Sequence, residues 1–135
     1  MPPDGVATAI AAARMRAVRV QLLDLHKVLI ALERQRYERA HGRIESSSEA
    51  LRLLVSDPWF AWLRPLAQLI VQIDTRLADD EPVQVADLDA LVATTRALVH
   101  IDQAGHGFQE SYHRALQDAP DVGVVHGRLM AQLKS

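Results

Sequence analysis

Three acidic residues, Glu33, Asp74 and Asp102, fall on the apolar sides of three expected helices, and any chemistry in this chain starts with them. Burying an unpaired charge is costly, so each needs a counter-charge, a set of hydrogen bonds or a metal. On a wheel of about 100° per residue, Glu33 lies beside Leu22, with His26 next to it and Tyr37 at the far side of the same stripe. Asp74 falls among Leu66, Ile70, Ile73 and Leu77, and Asp102 among Leu88, Leu91, Thr95, Leu98 and Val99. His26, His106 and His113 are the imidazoles placed to meet them. Two readings follow. In one, the acids pair with arginines, histidines or tyrosines and fix how the helices pack. In the other, Glu33, Asp74 and Asp102 join His26, His106 or His113 on a transition metal, as in bundle metalloproteins.

A ferritin-like di-iron site needs Glu-x-x-His on two helices and a glutamate from each of two others. Glu38 to His41 and Glu110 to His113 both have that spacing. Position counts against them: Glu38 projects away from the Leu25 face, and Glu110 lies off the face of Phe108, Tyr112 and Leu116. The AHGRIESS segment around His41 faintly resembles a phosphotransfer-domain histidine motif. That motif sets its histidine mid-helix with a lysine downstream, whereas here Gly42 follows directly and Ile44 holds the lysine's place. The chain has no Gly-x-Ser-x-Gly elbow and no phosphate-cradling glycine loop. Its lack of cysteine removes thiolate ligands, cysteine nucleophiles and disulfides. No catalytic set remains, and the reading leans away from an enzyme.

Trp59, Phe60 and Trp62 form the other notable cluster. Either two rings enter the core and one stays partly exposed, or the cluster lines a ligand pocket or the centre of a homodimer interface, where tryptophan is enriched. Asp57-Pro58 predicts a helix restart, an N-cap followed by proline at the first helical position. Pro65 then disrupts regular α geometry, so residues 57–65 are expected to form an aromatic elbow.

The remaining elements position these groups. Val18, Leu22, Leu25, Leu29 and Leu32 recur at helical spacing and predict a long helix starting between residues 6 and 13, running to about 40 and stopped by Gly42. Residues 1–5 read as a frayed, disordered tail ahead of a single domain over 6–135. A short helix is expected from Ser47 or Ser48, capped within the serine run, then helices over 65–78, 85–104, 108–117 and 122–133. The fold class is all-α, an antiparallel bundle of about four to six helices.

The block DPWFAWLRPLAQLIVQID, with LHKVLIALERQRYERAHGRI upstream, resembles a family of small uncharacterised bacterial proteins over roughly residues 20–80. The resemblance implies a bacterial, helical, soluble protein and brings no activity or site with it. The net charge of −2 over 135 residues argues against nucleic acid as a partner. No apolar run reaches the roughly 18 residues of a membrane span, and the N-terminus lacks the basic region of a signal peptide. Together these predict a non-enzymatic structural or interaction protein of the bacterial cytoplasm, self-associating as a homodimer. The metal-binding bundle is the alternative.

Overall fold

A computed structural model describes residues 3–100 and 107–134. It is an all-α bundle, with six α-helices and one 3-10 helix among the described residues. They are α1 (Pro3–His41), α2 (Ser47–Ser56), the 3-10 helix (Pro58–Leu63), α3 (Arg64–Ala78), α4 (Val85–Leu98), α5 (Phe108–Asp118) and α6 (Pro120–Lys134). None of the described helices is long and apolar enough to cross a membrane.

Helix α1 is the mast of the bundle. Its 39 residues span about 58 Å at 1.5 Å per residue, and α3, α4, α6 and the 3-10 helix all pack against it. Ala11, Met15, Val18, Leu22, Leu25 and Leu29 are buried along one seam, four and three residues apart in alternation, the spacing that keeps a stripe facing its partners over many turns. The next buried position is Glu33, while Leu32 is only half-buried. The helix is described from Pro3, so residues 3–5 of the expected tail are helical, and residues 1 and 2 lie outside the described residues. Proline suits a first helical turn because its missing N–H has no role there. Gly42 ends the helix at φ 93°, donating to the Glu38 carbonyl at 2.9 Å. That left-handed conformation favours glycine.

The next turns follow their capping chemistry. Ser46 Oγ accepts from the Glu49 amide at 3.1 Å and opens α2. Asp57 Oδ1 accepts from the Trp59 amide at 2.8 Å, with Pro58 behind it, and opens the 3-10 helix. Pro65 lies in the first turn of α3, where no N–H is required. The elbow is therefore a change of helix type.

Two later boundaries differ from expectation. Helix α4 ends at Leu98 instead of near 104: Val99, at φ −94° and ψ 8°, has left helical geometry. Val92, Thr94, Thr95 and Val99 are β-branched and support helix weakly. Helix α6 begins at Pro120, so the expected gap between helices ending at 117 and starting at 122 narrows to Ala119, extended at φ −130° and ψ 111°. Arg19 meets Asp74, and Glu33 lies by the 3-10 helix that precedes α3, so α1 and α3 run antiparallel. Helix α5 packs on α6 and the 3-10 helix, and α2 on the 3-10 helix.

Candidate functional site

In a 3-10 helix, residues three apart lie directly above one another. Trp59 and Trp62 therefore share one face of the Pro58–Leu63 turn, and Phe60 and Leu63 share another. Phe60 and Leu63 are buried in the core. The two indoles are half-buried and wall a cleft of about 250 Å³, with Glu33 and Arg36 of α1 and Ser111 and Arg114 of α5 as its other sides. Of the three rings, one is core and two line the cleft.

Glu33 is the deepest group here, its side chain only 7% exposed. Its Oε1 accepts from Arg36 Nη1 at 2.7 Å. Arg36 Nη2 donates to Asp118 Oδ2, also at 2.7 Å, so one guanidinium ties the seam of α1 to the end of α5. No donor among the described residues reaches Glu33 Oε2. On the α5 side, Arg114 Nη2 donates to Glu110 Oε1 at 2.9 Å, and the Ser111 hydroxyl makes no hydrogen bond among the described residues.

Two aromatic ladders support the walls. Trp59 meets Tyr37 edge-on at 5.6 Å and His41 edge-on at 5.3 Å, and Tyr37 stacks on His41 at 4.5 Å. The Trp59 Nε1 is enclosed without an acceptor among the described residues. Trp62 leans on Phe108 at 5.4 Å, Phe108 stacks on Tyr112 at 5.5 Å, and Tyr112 approaches His126 at 5.6 Å. Beneath the second ladder the Tyr112 hydroxyl and His126 Nδ1 are 2.7 Å apart.

The sequence candidates separate. Glu33, Trp59 and Trp62 come together. Asp74 does not join them: it is exposed and pairs with Arg19, 14 residues and so about 21 Å along α1 from Glu33. Half-buried His26 and His113 do not line the cleft, and His113 Nδ1 is enclosed without a partner among the described residues. Asp102 and His106 lie outside the described residues. Among the described residues no three acids or histidines gather as a metal site needs. The Glu-x-x-His glutamates serve local structure: Glu38 Oε2 accepts from the Ile44 amide at 3.1 Å, and Glu110 holds Arg114.

Sequence reasoning missed Arg36, Ser111, Arg114 and the tyrosine–histidine pair. Spacing signalled two of these groups: Glu33 and Arg36 are one turn apart, as are Ser111 and Arg114, so each pair shares a helix side. Nothing local announced that the two sides would meet.

Burial alone lowers the pKa of His26 and of His126 below the ordinary histidine value of 6.5. In the unfolded chain both take up protons near pH 6.5, while in the fold both stay neutral to lower pH. Their contribution is present above the unfolded pKa and is lost as pH falls through the folded one. The denaturant midpoint is expected to drop between pH 7 and pH 5, and a His26→Gln, His126→Gln double variant to flatten that drop. A wild-type midpoint unchanged over this range contradicts the assignment.

Comparison with protein-family models, with curated proteins and with solved structures finds no match to this chain.

Proposed function

We propose that this protein is a non-enzymatic interaction protein of the bacterial cytoplasm, a helical scaffold that presents one small, indole-walled polar cleft to a ligand group carrying a hydrogen-bond donor. The observation that carries the reading is Glu33, a carboxylate at the cleft whose Oε1 pairs with Arg36 and whose Oε2 meets no donor among the described residues and is left to solvent. A ligand donor that replaces that water makes a charge-assisted hydrogen bond there. The chain's two tryptophans both line this cleft, so indole fluorescence reports on it alone. A screen of small polar amines, alcohols and amino acids is expected to yield a saturable emission change with a matching rise in melting temperature. No response from any of them at millimolar concentration overturns the reading.

Self-association rests on a separate observation. Helix α2 turns Leu53 inward, yet Leu51 and Val55, one turn apart, remain 62% and 64% exposed. A short helix with apolar groups on two sides has more to bury than its main packing partner, the 3-10 helix, covers, and a second copy of the chain completes it. Sedimentation is expected to give a concentration-dependent dimer mass that reverts to monomer in Leu51→Glu, Val55→Lys. A concentration-independent monomer up to high micromolar levels contradicts it.

A further inference from the structure

The cleft carries both polarities. Its acceptor is the Glu33 carboxylate, whose Oε1 takes Arg36 and whose Oε2 is left to solvent. Its donors are on α5: the Ser111 hydroxyl, and Arg114, whose Nη2 is committed to Glu110 while Nε and Nη1 have no acceptor among the described residues. Arg114 is exposed, so it can swing onto a ligand without breaking the core. Trp59 and Trp62 supply ring surface between these walls.

Each single-sign ligand meets an opposing charge. A simple amine is welcomed by Glu33 and by the indole faces, but is opposed by the Arg36 and Arg114 guanidiniums. A simple carboxylate suits Arg114 and Ser111 but would sit beside the Glu33 carboxylate, and like charges juxtaposed are unfavourable. A ligand with an ammonium and a carboxylate close together satisfies both walls. Size narrows it further. A cleft of about 250 Å³ lies below the roughly 300–1,000 Å³ of drug-sized pockets and equals about eight water volumes.

Building on the cleft reading above, we infer that the ligand is a free α-amino acid. Its ammonium donates to Glu33 Oε2, its carboxylate accepts from Ser111 and Arg114, and its side chain lies against Trp59 and Trp62. A peptide end offers only one of the two charges at one residue, so the free molecule is singled out from peptide termini.

The test is a titration of the full chain with the twenty free L-amino acids by indole fluorescence and calorimetry. Each responder is compared with its N-acetyl derivative, which lacks the ammonium, and its C-amide, which lacks the carboxylate. At least one free amino acid is expected to bind at one site per chain, and both derivatives to bind about ten-fold or more weakly, the scale of a lost charged hydrogen bond. Arg114→Ala, at an exposed position, leaves the fold intact; it is expected to weaken the free amino acid and not to weaken its amide, which loses only an opposing charge. Glu33→Gln adds a second arm if it folds. An amide that binds as well as the free acid overturns the inference in favour of an amine, and an equally bound N-acetyl derivative overturns it in favour of an anion; in both cases the cleft reading stands. If no amino acid binds while another polar molecule shifts the emission, the ligand class alone is wrong. Silence across both screens ends the cleft reading as well.

Discussion

Tyr112→Ala is expected to remove about 3–5 kcal/mol of unfolding free energy, the scale of a large ring deleted from a packed interior. Tyr112 is fully enclosed, stacked on Phe108 and hydrogen-bonded to His126. For a domain held by roughly 5–15 kcal/mol, that loss brings the fold close to its limit. Tyr112→Phe keeps the ring and removes only the hydroxyl, leaving His126 Nδ1 without its partner. Because His126 is half-buried and water reaches part of it, the expected cost is about 1 kcal/mol. Chemical denaturation of the two variants separates packing from hydrogen bonding. If phenylalanine costs as much as alanine, the bond dominates and this account of the second ladder is wrong. Burial also raises the Tyr112 pKa well above its ordinary value of 10.0. The unfolded chain then ionises first, and stability present below pH 10 declines as pH rises above it.

Arg36→Met is expected to cost about 2–4 kcal/mol, again by denaturation. It strands Glu33 at 7% side-chain exposure without its counter-charge. Breaking a buried pair from one side costs about 3–5 kcal/mol; the lower range here reflects an arginine that is itself 27% exposed. The double variant Glu33→Leu, Arg36→Met is expected to recover much of the loss, because removing both charges leaves nothing unpaired. Asp118→Asn, at the exposed end of the same guanidinium, is expected to cost less than about 1 kcal/mol. A double variant as unstable as Arg36→Met alone contradicts the view that the unpaired carboxylate is what makes the single change costly.

The bundle and the positions of most of its joints were written in local chemistry. The leucine seam of α1, the Gly42 stop, the Asp57-Pro58 restart and the placing of Pro65 each act within a turn or two, so the chain states them directly. Glu33 was legible for the same reason, since a long regular helix lets a wheel angle be trusted. Asp74 was misplaced by a small angular error with a large consequence. The buried set on α3 includes Leu69 beside Leu66, Ile70 and Ile73, which swings the centre of the face to about 90° from Asp74 at 100° per residue. The acid then lies at the flank, where Arg19 meets it in solvent. The cleft was legible only in part. Trp59 and Trp62 point the same way because their turn is 3-10, a choice made jointly by its flanking prolines and by packing on α1. The Ser111 and Arg114 wall arrives from some 50 residues further along, by contacts that no local pattern encodes.

Helix α1 finds its most extensive packing partner in α6, and that pairing has a consequence for synthesis. Roughly 80 residues separate the end of α1 from the start of α6. At about 5–20 residues per second on a ribosome, the mast emerges some 4–16 s before the helix that packs on it most extensively. Until then Val18, Leu22, Leu25 and Leu29 are covered only in part, by the 3-10 helix, α3 and α4, and before those emerge a sparingly stable isolated helix is all that holds them in register. A ribosome-associated holdase has its window in those seconds, and a translational pause before α6 lengthens it.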